Sequence, residues 1–322
     1  MKIYSKIFIL VLVAAATMSF SGEMDKKTQK RYEKASKYWI KGNEYFQEGK
    51  YDKAKNLYDK ALKIYDKHLE AMLNIGVIYE KQNDLKSAEQ MYKKIIEISP
   101  DTADAHHNLG AIYETQGKID AAVLAYKEAI SVDQYYARSY SNLAGIYINK
   151  GLFDEAIENS QKAVTCAPHD IFGYVNLGNA YLKKGEYDNA IEQYNHAIEL
   201  QPDASFLYNN RGNAYLNKMM AEFAIMSFEK AIELDPENYA AHSGLGDARM
   251  LKGKTEDAIK NYEKAMEIKP GYKLGYFKLG MAYKDTDREK ALEYFEEYKK
   301  RARDKKNLEI LDKIITDMKI TK

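Results

Sequence analysis

Residues 174–181 read Tyr-Val-Asn-Leu-Gly-Asn-Ala-Tyr, and this stretch decides the fold of the chain. Its two tyrosines, Leu177 and Gly178 are spaced i, i+3, i+4 and i+7, so they lie on one face of an α-helix. Further along, Ala190 and Tyr194 belong to the matching face of a second helix. The sequence therefore predicts a pair of helices packed face to face.

Small residues allow the two helices to pack closely, and a glycine and a proline end them. Gly178 and Ala190 let the two helix axes approach closely, and the tyrosines fill the space beside them. Gly185 can adopt the left-handed conformation that ends the first helix. Pro202 ends the second helix, because proline cannot continue one.

The pattern recurs with a period of 34 residues. The glycine column contains Gly42, Gly76, Gly110, Gly178, Gly212, Gly246 and Gly280, with Ala144 filling the gap. The alanine column contains Ala54, Ala88, Ala122, Ala156, Ala190, Ala224 and Ala258. The aromatic column contains Tyr58, Tyr92, Tyr126, Tyr194, Phe228 and Tyr262, interrupted by Ser160. Several columns that share one period indicate a tandem repeat protein.

The 34-residue unit resembles the tetratricopeptide repeat, and the resemblance covers about residues 35–304. It implies an all-α, right-handed superhelical solenoid of antiparallel helix pairs, whose first helices line a concave groove that binds proteins or peptides. We expect eight repeats, which start near residues 35, 69, 103, 137, 171, 205, 239 and 273. A polar lead-in at residues 22–34 precedes them, and a capping helix and tail at residues 305–322 follow.

Three repeats depart from the pattern. Ala144 replaces glycine in the fourth repeat, which slightly widens one helix contact. Met219 and Met220 occupy the turn of the sixth repeat where most repeats have glycine, so we expect either a strain of roughly 1 kcal/mol or a different turn. The eighth repeat is one residue short, and we interpret its Asp285–Asp287 segment as a turn.

Composition argues against several classes of protein. The formal net charge is +1, and it becomes −1 without residues 1–21, which contain Lys2 and Lys6 but no acid. Without a strongly basic domain, nucleic acid is not favoured as a partner. Cys166 is the only cysteine, so an intramolecular disulfide is impossible, and we interpret it as a small buried residue.

The N-terminus has the features of a secretory signal peptide at residues 1–21. Two lysines precede an apolar run from Ile7 to Ala16, and small residues follow it. The run is shorter than the roughly 20 residues that a bilayer requires, so a membrane anchor at residues 7–20 is the second interpretation. The prediction is export to the periplasm, the cell envelope or the medium.

No residues converge with credible catalytic spacing, so the sequence predicts neither an enzyme nor a cofactor or metal. His106 and His242 stand where other repeats have tyrosine, and we interpret both as packing residues. His106 and His107 are adjacent, so they point about 100° apart on a helix and cannot hold one ion together.

A ladder of asparagines marks the groove. The position two residues before each glycine is asparagine in five consecutive repeats: Asn74, Asn108, Asn142, Asn176 and Asn210. A carboxamide offers a donor and an acceptor, so such a ladder can pair with an extended peptide without reading its sequence. It resembles the asparagine ladder in the tetratricopeptide superhelix of protein O-linked N-acetylglucosaminyl transferases. The alternative is that asparagine is simply common at this repeat position.

Other groove positions differ between the two halves of the chain. Repeats two and three contribute acids, relieved by Lys81: Glu70, Glu80, Asp104 and Glu114. Repeats five to eight contribute apolar residues: Phe172, Val175, Leu182, Phe206, Leu216, Met250, Leu274, Phe277 and Met281. Large apolar groups on a face that stacking does not bury suggest docking sites. Alternatively, the terminal helix folds back over Leu274, Phe277 and Met281.

These positions predict an interaction scaffold with a protein or peptide partner, whose apolar side contacts repeats five to seven and whose basic side faces repeats two and three. Asn179 and Asn210 match the two asparagines of a chaperone-type carboxylate clamp. Val175, Ala240 and Gly244 stand where that clamp needs basic residues, so we do not expect recognition of C-terminal carboxylates. The alternatives are a structural subunit of an envelope complex that self-associates, and a targeting arm for a glycosyl transferase on another chain.

Overall fold

The computed structural model describes residues 24–302 and 305–320, and within them the chain forms 17 α-helices. The helices of the first half are α1 (Lys26–Gln47), α2 (Tyr51–Ile64), α3 (Leu69–Lys81), α4 (Leu85–Ile98), α5 (Ala103–Thr115), α6 (Ile119–Val132), α7 (Ala137–Lys150) and α8 (Phe153–Cys166). Those of the second half are α9 (Ile171–Lys184), α10 (Tyr187–Leu200), α11 (Ser205–Asn217), α12 (Ala221–Leu234), α13 (Tyr239–Leu251), α14 (Thr255–Ile268), α15 (Lys273–Tyr283), α16 (Arg288–Arg301) and α17 (Lys305–Ile320).

Odd-numbered helices from α1 to α15 are the first helices of the eight repeats, and even-numbered helices are the second. The chain divides into two compact units, and the boundary between Ser139 and Tyr140 lies inside α7. Unit 1 contains the described residues up to Ser139, and unit 2 those from Tyr140 onward. The predicted all-α fold of tandem helix pairs is confirmed. The predicted lead-in at residues 22–34 contributes to α1, which begins at Lys26.

The glycine column packs against the aromatic column inside each repeat. A Cβ atom built on Gly178 would lie 2.6 Å from Cε1 of Tyr194, and one on Gly76 would lie 2.5 Å from Cε1 of Tyr92. Real Cβ atoms do not approach other atoms so closely, so glycine is required where the ring is large. In repeat four, Ala144 is instead paired with Ser160 in the aromatic column, and both are fully buried.

The turns between the paired helices use a left-handed residue, as the sequence predicts. Gly185 has a φ of +88°. Met219 occupies the same position in repeat six and has a φ of 64°, with the same pair of backbone hydrogen bonds: its N–H donates to Leu216 and that of Met220 donates to Tyr215. The turn is therefore not of a different type, and Met219 pays the cost of a side chain at positive φ.

The last repeat and the terminal helix share one core. α15 is shortened to 11 residues, and Asp287 caps α16 by accepting a hydrogen bond from the backbone N–H of Lys290. Leu311, Ile315 and Met318 of α17 are buried in a cluster with Phe295 of α16. α17 thus covers the exposed end of the last helix pair.

A buried histidine lies in the core of unit 1. The ring of His107 packs against Tyr126 and Tyr136, with centroids 5.4 and 5.2 Å away, and its Nδ1 lies 2.9 Å from Oγ of Ser139. Burial lowers the pKa of His107 to about 4, and the nearby charge of Arg138 acts in the same direction. The neutral ring is the form that fits this core.

We expect Gly178→Ala to lower the free energy of unfolding by about 1–3 kcal/mol, because the added methyl group must displace the Tyr194 ring. Gly145→Ala is the matched control, since nothing lies within 4 Å of a Cβ built there. Alanine at this open helical position should raise stability by up to about 1 kcal/mol. Urea unfolding monitored by circular dichroism measures both. Equal gains in stability would mean that the tight ring contact is not present.

We also expect unit 1 to lose stability as the pH falls from about 6.5, where an unfolded histidine begins to bind a proton, to about 4. In this window the unfolded chain takes up the proton and the folded chain does not. The loss from His107 is at most about 3 kcal/mol. His107→Phe keeps a ring and cannot titrate, so its urea midpoint, compared with its own value at pH 8, should fall less on acidification. The same fall in both proteins would contradict this assignment.

Candidate binding surface on the first helices

The ladder asparagine of repeat two is already used inside the protein. Nδ2 of Asn74 donates to Oδ1 of Asn43 in the preceding repeat at 2.7 Å. The same Oδ1 accepts the hydroxyl of Tyr58 at 2.7 Å. Asn74 therefore links two first helices through a carboxamide that lies next to the buried tyrosine.

The same bridge occurs in unit 2 with charged residues. Lys278 stands at the ladder position of repeat eight, and its Nζ donates to Oδ2 of Asp247 at 2.6 Å. Oδ1 of Asp247 accepts the hydroxyl of Tyr262 at 2.9 Å. Both bridges join residues 31 positions apart. The ladder position is thus a structural link between neighbouring repeats at both of these places.

Three further ladder asparagines are also engaged. Nδ2 of Asn176 donates to the backbone carbonyl of Ser141 at 2.9 Å. The side chain of Asn108 lies near the hydroxyl of Tyr92, and Asn142 also has a partner within the protein. Most of the predicted ladder is therefore held by the fold, although all five side chains remain half-exposed.

Repeat six is different, because two of its carboxamides lack these partners. Oδ1 of Asn210 accepts one long contact, 3.5 Å from Nδ2 of Asn209. The side chain of Asn213 makes no hydrogen bond among the described residues. Asn213 corresponds to Asn43 and Asp247, whose oxygens accept a tyrosine hydroxyl. Here the aromatic residue is Phe228, which has none.

The neighbouring repeat does not supply a partner either. Gly244 occupies the ladder position of repeat seven, where a Cβ would lie 2.4 Å from the Phe228 ring. It therefore has no side chain to reach Asn213. Asn213 does not stand out in the asparagine ladder, and the one sequence signal that marks it is the phenylalanine, Phe228, in a column that is otherwise mostly tyrosine.

Two aromatic side chains lie exposed on the first turns of neighbouring first helices. Phe172 of α9 is 61% exposed and Phe206 of α11 is 41% exposed, and they occupy the same repeat position. Both rings are therefore accessible to a ligand. Val175 does not line this surface, because it is buried in a cluster with Ala197 and Leu207 between repeats five and six.

The other predicted apolar residues are partly covered. Leu182 packs against the cluster that contains Tyr194, Leu216 packs against the cluster that contains Phe228, and both are half-buried. Met250 packs in the same way against the cluster around Tyr262. Only part of each of these side chains is therefore accessible to a ligand.

At the end of unit 2, the terminal helix does not cover all of the apolar residues Leu274, Phe277 and Met281. Phe277 is half-buried against Phe295 and Tyr298, with ring centroids 6.0 and 5.5 Å apart. Leu274 and Met281 remain exposed. The apolar surface of repeat eight is therefore reduced but not removed.

The predicted acidic positions of unit 1 are largely occupied by tyrosine hydroxyls. Glu80 accepts the hydroxyl of Tyr92, and burial raises the pKa of Glu80. Glu114 accepts the hydroxyl of Tyr126 at 2.8 Å. Each of these carboxylates therefore has an internal partner.

Asp104 and Glu70 are likewise paired. Oδ1 of Asp104 accepts the hydroxyl of Tyr136 at 2.6 Å and Nη2 of Arg138 at 2.8 Å. Glu70 accepts the hydroxyl of Tyr32 at 2.9 Å. This surface is consequently less available to a basic ligand than the sequence alone indicates.

The structure brings together a serine, a histidine and a glutamate that sequence spacing did not relate. Nε2 of His68 lies 3.1 Å from Oγ of Ser36, and its Nδ1 lies 3.1 Å from Oε2 of Glu70. Oγ of Ser36, however, donates to the carbonyl of Tyr32, and Nδ1 of His68 accepts the N–H of Ala71 at the start of α3. His68 is also completely buried. The arrangement is that of a helix cap, not of an activated nucleophile.

The two histidines interpreted as packing residues take the role of a tyrosine. Nε2 of His106 lies 2.8 Å from the carbonyl of Pro100, and Nε2 of His242 lies 3.0 Å from that of Pro236. Tyr208 reaches the equivalent carbonyl of Pro202 with its hydroxyl at 3.0 Å. All three side chains thus close the end of the preceding helix.

Residues 24–302 and 305–320 offer neither a metal site nor a membrane-spanning helix. They contain no group of three or more histidine, cysteine, aspartate or glutamate side chains placed to hold a metal ion. None of their helices has the length and apolar character needed to cross a membrane. The predicted signal peptide at residues 1–21 lies outside this part of the chain.

Solved structures share this fold. A tetratricopeptide repeat protein from Parabacteroides merdae has a TM-score of 0.58 at 16% identity, covering 77% of this chain and 98% of that chain. PilF of Pseudomonas aeruginosa has a TM-score of 0.57 at 18% identity, covering 70% and 98%. A chain of the APC/C hetero-tetramer Cut9–Hcn1 has a TM-score of 0.63 at 18% identity, covering 86% and 52%. At these identities the likeness shows the fold alone.

Family profiles match nearly the whole repeat region. Profiles described as tetratricopeptide repeat match residues 45–112, 103–136, 137–170, 205–238 and 275–304, and one described as TPR repeat matches residues 178–218 and 246–287. A sequence search of curated proteins gave no match. Tetratricopeptide repeats serve in general as protein–protein interaction scaffolds without catalytic activity. With its glycine and aromatic columns, its helix pairs and these matches, the chain belongs to the tetratricopeptide repeat family.

Proposed function

We propose that this protein is a binding scaffold whose unit 2 holds an extended peptide segment on the first helices of repeats five and six. The observation that carries the proposal is the pair of carboxamides on α11, Asn210 and Asn213, which lack the internal partners that their counterparts have. Polar groups that the fold leaves without partners are available to a ligand.

Carboxamides suit a peptide ligand. Each one can donate to a peptide carbonyl and accept from a peptide N–H, so it pairs with the backbone of an extended chain. Asn210 and Asn213 are three residues apart on α11, so they lie on the same side of the helix. Together they offer two such pairing sites on a surface that remains half-exposed.

Phe172 and Phe206 supply the apolar part of the proposed site. Neighbouring packed helices lie about 8–10 Å apart, and an extended chain advances about 3.3 Å per residue. The two rings therefore suit ligand side chains about three residues apart. Exposed aromatic residues of this kind provide most of the affinity of small interfaces.

The proposal places the main contacts in unit 2. The acids of unit 1 support it less, because Asp104 already pairs with Arg138 and Glu114 with a tyrosine hydroxyl. Export, a glycosyl transferase partner and a role in the cell envelope remain hypotheses from the sequence. Self-association would use a separate surface, on the second helix of repeat six.

We expect the double substitution Phe172→Ala and Phe206→Ala to weaken binding of a 15-residue peptide, selected from a random display library on the chain beginning at residue 22, by at least tenfold. Two exposed aromatic contacts of about 1 kcal/mol or more each are lost. Fluorescence anisotropy measures the dissociation constant. Leu124→Ala, an equally exposed apolar residue on the second helix α6, is the control and should bind as the unaltered chain does. Unchanged binding by the double variant would reject the apolar half of the site.

A second prediction concerns one oxygen atom. Phe228→Tyr adds a hydroxyl at the position where five other repeats have one, and we expect it to donate to Asn213 as Tyr58 donates to Asn43. Peptide binding should then weaken about five- to tenfold, as it should in Asn213→Ala, because a carboxamide is lost to the ligand. The free energy of unfolding should not fall.

Tyr58→Phe is the matched control for that prediction. It removes one hydroxyl at the same repeat position in unit 1, outside the proposed site, and peptide binding should stay unchanged. Replacing single peptide backbone N–H groups by N-methyl should reduce affinity at the positions that pair with Asn210 and Asn213. Equal binding by Phe228→Tyr, Asn213→Ala and the unaltered chain would show that the carboxamides do not contact the ligand.

A further inference from the structure

An exposed apolar stripe lies on the second helix of repeat six. Met219 precedes α12, and Phe223 and Met226 lie on it; their exposed fractions are 67%, 47% and 65%. The spacing of four and then three residues places them on one face. Lys230, four residues further, continues the same stripe. This surface is distinct from Asn210, Asn213 and the other first-helix residues of the proposed peptide site.

The fold does not require apolar residues at these positions. At the position of Phe223 the other repeats have Lys53, Ser87, Ala121, Glu155, Asn189, Asp257 and Lys290. At the position of Met226 they have Asn56, Gln90, Leu124, Glu158, Glu192, Lys260 and Glu293. In most repeats, then, these are solvated polar positions. In repeat six, large apolar residues occupy both positions.

Met219 adds a second, independent observation. Its φ of 64° lies in the left-handed region, where five equivalent residues are glycine (Gly49, Gly117, Gly151, Gly185 and Gly253) and one, Asn83, is an asparagine, a residue type that tolerates this conformation better than methionine. A methionine there costs about 1 kcal/mol relative to glycine, and its side chain gains no burial in return. Residues held in unfavourable backbone conformations occur preferentially at functional sites.

The charges around the stripe are balanced. Four ion pairs border it: Lys218 with Asp188, Lys252 with Glu222, Arg249 with Glu229, and Lys230 with Glu233. A surface with equal numbers of both signs does not select a strongly charged partner. It is suited to an identical surface, since a twofold axis can place an acid of one copy opposite a base of the other, and the same contact then occurs twice.

We propose that this stripe is a self-association surface, in which α12 helices of two copies pack antiparallel about a twofold axis at Met226. In that arrangement Glu222, four residues before Met226, faces Lys230 of the second copy, four residues after it, and the contact occurs twice. Phe223 then packs against the aliphatic part of the same lysine. Methionine side chains adapt readily to such a contact.

The exchange of ion pairs costs little. On association, Glu222 loses its ion pair with Lys252, and Lys230 loses its ion pair with Glu233. Exposed ion pairs contribute at most about 1 kcal/mol each to stability. Three apolar side chains per copy make a small interface, so the association is weak, with a dissociation constant of roughly 10–100 μM. The peptide site on the first helices stays accessible in the dimer.

Sedimentation equilibrium of the chain beginning at residue 22, between 1 and 500 μM, tests the proposal. The mean mass should rise toward twice the monomer mass, and Met226→Glu should raise the dissociation constant at least tenfold. Leu124→Glu is the matched control, because Leu124 holds the same repeat position in repeat three and is equally exposed. A monomer at every concentration, or equal losses from both substitutions, would overturn the proposal.

The twofold geometry has its own tests. In a Cys166→Ser background, Met226→Cys should form a disulfide-linked dimer on oxidation, whereas Lys260→Cys, at the same position of repeat seven, should not. Glu222→Lys should weaken association, and adding Lys230→Glu should restore it. Equal cross-linking of both cysteines, or no restoration, would contradict the antiparallel arrangement. Peptide binding by Met226→Glu measures the groove separately, so failure of one proposal is distinguishable from failure of the other.

Discussion

The contact between one glycine and one aromatic ring controls the structure of each repeat. The ring of the second helix lies so close to the first helix that a Cβ atom on the glycine would meet it at 2.4–2.7 Å in repeats one, two, three, five, six and seven. Removing one atom allows close packing of two helices, and packing at this density is what holds a small helix pair together. Because every repeat needs its neighbours for burial, the contact is repeated along the chain.

This contact also decides which polar groups are left for a ligand. The hydroxyl of the buried tyrosine must find an acceptor, and it takes one from the first helix: Asn43, Asn179 and Asp247 by one route, Glu80 and Glu114 by another. A groove residue that satisfies a buried hydroxyl is partly structural. The asparagine ladder therefore serves mainly to link neighbouring repeats. Only the ladder asparagines that lack an internal partner are candidates for binding a ligand.

Repeat six collects the departures from this scheme. Phe228 lacks the hydroxyl, and Met219, Phe223 and Met226 replace residues that are mostly glycine or polar in the other repeats. In the adjoining repeat seven, Gly244 stands where the next ladder asparagine would be. In the regular repeats, packing of the core and capping of helix ends explain the residues at the same positions. The two proposed surfaces follow from this difference. Phe223 stacks on Tyr215, but the fold accounts neither for the unpaired carboxamides on one helix nor for the exposed Met219 and Met226 beside the other.

The sequence by itself determined the fold. Its period of 34 residues, its small and aromatic columns and its turn residues fixed the helix pairs, because local spacing decides which side chains share a helix face. It also placed Phe172 and Phe206 on the surface. Only the tertiary structure decided which side chains are used between repeats. Burial of Val175, pairing of Asp104 with Arg138 and the link from Asn74 to Asn43 depend on residues about 30 positions apart, whose distance no local pattern specifies.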